Sequence, residues 1–119
     1  MRQIEILMQF VARLIFKKDR IEYIVHDAGN LLETDLLYYE LEKLLTETKI
    51  CQAEDLLHER IDVGNNKFLE LAVDFYRKLN EFSDETLEAA NFSREEIYSG
   101  LNDIIQIFGL PITFGEQVT

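Results

Sequence analysis

The stretch Asn66–Phe82, NKFLELAVDFYRKLNEF, limits what this chain can fold into more than any other. Phe68, Leu71, Ala72, Phe75, Leu79 and Phe82 recur at the i, i+3, i+4, i+7 spacing of one helical face. Leu69, Val73 and Tyr76 form a second apolar row beside the first. Two adjoining rows are wider than the stripe with which a surface helix meets a core, so neighbours are expected on two of its sides. Nothing on this helix has the look of a catalytic group.

Breakers are scarce around it. Five glycines and one proline in 119 residues favour helices over a strand-and-turn fold, and the length suits one domain with one core. A 47% hydrophobic content is too high for a disordered chain. The spacing predicts a basic amphipathic helix over residues 3–18, with Ile4, Leu7, Met8, Val11, Leu14 and Ile15 inward and Phe10 widening that face. Its stripe can continue through Ile21 and Val25 to about His26, or break near Asp19, and a short strand over Ile21–Val25 is the weaker option. HDAGN then reads as a loop turning at Gly29 and Asn30.

The next helix is expected from Thr34 to Thr46, capped by Thr34 or Asp35, with Leu37, Leu41, Leu44 and Leu45 on one face. TETK connects it tightly to a helix over Ile50–Ile61, so the two should lie antiparallel. DVGNN is the next turn, and Asn65 or Asn66 caps the central helix. Ser83 opens a short helix through DETLEAA that Asn91–Phe92 interrupts. Ser93 and Glu96 stand in capping-box spacing ahead of a last helix whose single apolar face is Ile97, Leu101, Ile104, Ile105 and Phe108. Gly109, Leu110 and Pro111 form its stop, and an extended tail follows. The expected architecture is all-α, five to six helices in antiparallel hairpins. It divides into residues 1–26 as the N-terminal helix, 34–109 as the hairpin stack and 110–119 as the tail.

ICQAEDLLHERIDVGNN and the helix after it partly resemble the second half of a tetratricopeptide repeat, where a small residue such as Ala53 lets two helices approach closely. The turn is a residue short and the next unit lacks the pattern, so stacking similar to that fold is expected rather than a repeat array. The phrases RQIEILMQFVARLIF, LETDLLYYELEKLL, KICQAEDLL, FLELAVDFYRKLNEFSDETLE and NFSREEIYSGLNDI resemble a family of small acidic bacterial proteins of unknown function, over nearly the whole chain. The resemblance implies a compact tetratricopeptide-like domain in a bacterial cytoplasm and supplies no catalytic residues. Cys51 stands where that family would be expected to carry a polar residue.

Glu54, His58 and Asp62 share one face of the third helix at i, i+4, i+8, with Asp55 three before His58. Three such ligands can hold a divalent metal, although a solvated polar face is the simpler reading in a chain with 23 acidic residues. A di-iron bundle needs paired Glu-x-x-His motifs, and only one Asp-x-x-His is present. Cys51 as a nucleophile would need His58 or His26 as base. Cys51 and His58 are two turns apart, roughly 10 Å along the axis, which is too far for a direct dyad. Tyr38, Tyr39, Tyr76 and Tyr98 can line a groove or, more simply, belong to the core with a wet hydroxyl. No G-x-S-x-G, phosphate loop, G-x-G-x-x-G or His-x-x-x-His occurs.

The net charge of −11 opposes nucleic-acid binding. It is unevenly placed: residues 1–20 hold five basic groups against two acidic, leaving about −14 on the rest. The N-terminal helix therefore either packs on its own domain, or pairs with a second copy in a homodimer, or lies on an anionic membrane, which the acidic remainder opposes. A single cysteine, no signal-peptide pattern and no apolar run of spanning length lead to the expectation of a cytoplasmic protein. The expected role is a non-enzymatic protein-interaction or oligomerisation module with no cofactor. An acidic surface would favour a basic partner, bound less tightly as salt rises. The alternatives are a metal-binding protein or enzyme using Glu54, His58 and Asp62, and a small-molecule-binding regulator with a pocket between helices.

Overall fold

A computed structural model of the chain describes residues 2–17, 22–25 and 31–110. Among them it is all-α, with six α-helices: α1 Arg2–Val11, α2 Glu33–Thr46, α3 Ile50–Arg60, α4 Asn66–Glu81, α5 Asp84–Ala89 and α6 Arg94–Ile107. His26, the HDAGN turn, the Asp19 break and the tail from Pro111 onward lie outside the described residues.

The central stretch does become the spine. Phe68, Leu69, Leu71, Ala72, Val73, Phe75, Tyr76 and Leu79 of α4 are all buried. Neighbours meet it on more than the two sides expected: α1, α2 and α6 all pack against α4. Helices α2 and α3 form a hairpin joined by residues 47–49, with Leu37, Leu41, Leu45, Ile50, Ala53 and Leu57 inside. Helix α6 presents Ile97, Leu101, Ile104 and Ile105 to the core and leaves Glu95, Ser99, Asp103 and Gln106 in water.

The N-terminal helical run, residues 2–16, matches the expected 3–18 to within two residues and does not extend to His26. Helix α1 continues only as a π-helical turn over Ala12–Phe16, and Lys17, at φ 54°, ends it with its N–H bonded to the Ala12 carbonyl. Residues 22–25 are neither helix nor strand, so neither continuation to His26 nor the strand option survives there. Ile4, Leu7, Val11 and Ala12 are buried within the chain, and α1 packs on α4 and α6. Phe10, expected to widen that inward face, is instead 47% exposed.

Helix ends follow the sequence closely in most places. Asn65 Oδ1 accepts from Lys67 N–H at 2.9 Å and Ser83 Oγ accepts from Thr86 N–H at 3.1 Å. Ser93 and Glu96 make both bonds of the capping box, at 3.1 and 2.7 Å. At α2 the expected cap is displaced. Leu32 holds the N-cap position, where its side chain can accept nothing, and Asp35 at N3 reaches back to the Leu32 N–H at 2.8 Å. Thr34 and Asp35 sit inside the first turn and are buried.

Three helices end in the same left-handed stop. After α6, Leu110 N–H bonds to Ile105 carbonyl and Gly109 N–H to Gln106 carbonyl, with Gly109 at φ 66°. Asn91 at φ 59° and Thr48 at φ 56° take the glycine's place after α5 and α2. A β-branched residue is poorly suited to that conformation. Thr48→Gly is therefore expected to stabilise the fold by about 0.5–1 kcal/mol, after allowing for the greater freedom of glycine in the unfolded chain. Urea unfolding checks it through a raised midpoint with an unchanged slope.

Candidate functional site

Burying α4 on so many sides takes two of its polar residues into the core, and each has recruited partners. Tyr76 donates its hydroxyl proton to Glu54 Oε2 at 2.6 Å. His58 Nε2 lies 2.8 Å from the same hydroxyl. With the tyrosine proton committed to the carboxylate, the oxygen accepts and His58 Nε2 carries the hydrogen. Burial, and then Glu54, push the Tyr76 hydroxyl well above the usual tyrosine range, so it stays protonated and remains a donor.

This arrangement answers the metal expectation residue by residue. Glu54 and His58 do come together, but across the hydroxyl of Tyr76. Asp62 is elsewhere, its Oδ1 accepting from Gly64 N–H at 3.0 Å in the turn before α4. Asp55 is exposed. Among the described residues no group of three or more His, Cys, Asp or Glu side chains is placed to hold a metal ion. Cys51 is exposed, and what crowding it has, with Glu96, Glu54 and Asp55, pushes its thiol above the ordinary cysteine range. That is the wrong direction for a nucleophile.

The second buried group is Asp74, 1% exposed. Arg77 Nη2 meets it at 2.7 Å and Lys78 Nζ at 3.3 Å, one turn along the same helix. Lys78 also donates to Glu42 Oε1 at 2.6 Å and to the Tyr38 hydroxyl at 3.0 Å, linking α4 to α2. Burial pulls the Lys78 ammonium down, but Glu42, Tyr38 and Asp74 outweigh it and hold it above the usual lysine range. The Tyr38 ring stacks on Tyr23 with centroids 5.3 Å apart. The Tyr23 hydroxyl reaches Thr34 at 2.6 Å and Asp35 at 2.5 Å. The residues expected to cap α2 thus anchor the segment preceding it.

The four tyrosines do not gather round a cleft. Tyr76 is core, Tyr38 belongs to the Lys78 network, Tyr98 is half-buried on α6 and Tyr39 points outward from α2. Two open grooves, about 560 Å³ beside the α5–α6 junction and about 400 Å³ between α2 and α4, are lined by other residues. In the first, Arg94 is committed to the end of α4, donating to the carbonyls of Asn80 at 2.7 Å and Phe82 at 2.8 Å.

The outer face of α2 carries large apolar side chains that the core leaves in water, although Tyr39 still meets the edge of the Tyr38 ring at 5.8 Å. Leu32, Leu36 and Tyr39 stand at i, i+4, i+7 and are 41, 56 and 52% exposed. Lys43 continues the row at i+11. The row lies opposite Leu37, Leu41 and Leu45, which face the core. Leu31, also exposed, directly precedes the row. The apolar periodicity of α2 marks its inward leucines; of the outward row only Tyr39 is singled out in the sequence, as one of four candidate groove tyrosines, although LLETDLLYYELEK carries both rows.

Gly100 of α6 makes the Tyr76 arrangement testable. A Cβ there would lie 2.5 Å from ring carbons of Tyr76. The ring is fully buried and pinned at its hydroxyl, so it has nowhere to move. Gly100→Ala should destabilise the protein by about 2–3 kcal/mol despite the better helix propensity of alanine. A denaturation midpoint equal to or above the wild-type value would contradict this packing.

The chain matches the model of a family described as a family of unknown function (DUF6483) over residues 1–109, and it belongs to that family. No curated protein and no solved structure matches it.

Proposed function

We propose that this member of the family is a non-enzymatic protein-interaction module that docks a helical segment of another polypeptide on the outward face of α2. The observation that carries this is the exposed row Leu32, Leu36 and Tyr39, on a helix whose opposite face is already used by the core. Large apolar side chains scattered singly on a surface need no explanation, but a row at helical spacing has the form of a helix-in-groove or helix-on-helix contact. Tyrosine and leucine in a row supply rigid contact area at low entropic cost.

A binding role is also supported by what the polar groups are doing. Tyr76, Glu54 and His58 satisfy one another, and Asp74 is neutralised by Arg77 and Lys78. The first set joins α3 to α4; the second lies within α4, and Lys78 carries it on to Glu42 of α2. Among the described residues no helix is long and apolar enough to cross a membrane.

A photo-crosslinking phenylalanine analogue placed at Tyr39, in cells that make the protein, tests the docking face. The expected result is a discrete adduct that is absent when the analogue sits at Ser99, on the outer side of α6, and absent again in Leu36→Lys. Being half-exposed, Leu36→Lys should change stability by no more than about 0.5 kcal/mol, which separates lost docking from lost folding. No adduct from position 39 would contradict the proposal.

A further inference from the structure

The row on α2 is its own reverse. Leu32, Leu36, Tyr39 and Lys43 are spaced by four, three and four residues, so a two-fold axis midway between Leu36 and Tyr39 maps the row onto itself. In an antiparallel pair of α2 helices about that axis, Leu36 of each copy lies level with Tyr39 of the other, and Leu32 level with Lys43. The lysine stem then covers the leucine, and Glu33 of the second copy follows one residue's rise along the axis, within reach of the long lysine side chain. Acid at the N-terminal end of the row and base at its C-terminal end are complementary only in this antiparallel sense.

The surrounding charge points the same way. Although the chain carries −11, the outer face of α2 is balanced: Glu33, Glu40 and Glu47 are set against Lys43, Lys49 and Arg60, with Arg60 paired to Glu40 at 3.5 Å and Lys49 to Glu47 at 3.1 Å. A basic partner gains little from such a face, whereas an acidic chain meets little repulsion there. We infer that the occupant is a second copy of this chain, paired through antiparallel α2 helices with Leu36 against Tyr39 and Lys43 against Glu33. This rests on α2 being the docking face, and it makes the interface isologous, each contact occurring twice. One helix against another lies at the small end of interface sizes, so the pairing is a transient one.

Sedimentation velocity of the purified full chain between about 1 μM and about 1 mM spans such association constants. The wild type should move from monomer to dimer across that range, and Leu36→Lys should stay monomeric throughout with an unchanged unfolding midpoint. Lys43→Glu should weaken the dimer by about tenfold, since the reversed charge is felt twice, and Lys43→Glu combined with Glu33→Lys should restore most of the loss. A wild type that is monomeric at every concentration overturns the inference, as does a dimer indifferent to Leu36→Lys or a charge swap that fails to restore it. The position-39 crosslink then separates the two claims. An adduct with a different polypeptide leaves α2 as the docking face and removes only the second copy as its occupant; no adduct removes both.

Discussion

A helix buried on nearly every side cannot keep an ordinary surface composition, and the consequences of that constraint for α4 run through the rest of the molecule. Its apolar rows draw in α1, α2 and α6. Its two buried polar residues, Asp74 and Tyr76, must be satisfied at once, because an unpaired buried carboxylate or hydroxyl costs several times what a made bond returns. Asp74 draws Arg77 and Lys78 inward, and Lys78 carries the connection across to Glu42 and Tyr38 of α2. Tyr76 reaches Glu54 and His58 of α3. Helix α3, which packs mainly on α2, is hydrogen-bonded to the spine at that hydroxyl.

The same constraint gives residues of catalytic type a part in the packing of this chain. Glu54 and His58 sit on one face of α3, as a metal site would require, yet the ligand between them is a tyrosine of the next helix. Gly100 is part of the same construction, since the Tyr76 ring occupies the space its side chain would need. Once the buried groups are accounted for, the outer face of α2 stands out because its apolar row is left largely in water.

Apolar periodicity together with local capping residues was enough to place α3 to α6, because Asn65, Ser83 and the Ser93–Glu96 pair act through bonds to residues two or three positions away. Burial of α4 was equally legible in its double row. Contacts across the chain were not. Tyr76 reads as one more apolar position until α3 is placed beside it, and Tyr23 as part of a helix until its hydroxyl is seen between Thr34 and Asp35. Two signals were available: an acid at position 74 inside a buried row, followed by cations at i+3 and i+4, and a glycine in mid-helix among the apolar positions of α6. The π-helical turn that finishes the N-terminal helix left no such trace, since the apolar stripe runs through it unchanged.

If α4 is the element on which the others depend, its amides should exchange with solvent only through global unfolding. Native-state hydrogen exchange followed by NMR measures this directly. The amides of residues 71–79 are expected to be the slowest in the chain, exchanging at the free energy of complete unfolding, with the α2–α3 hairpin opening at a lower one. Hairpin amides that outlast those of α4 would contradict the account.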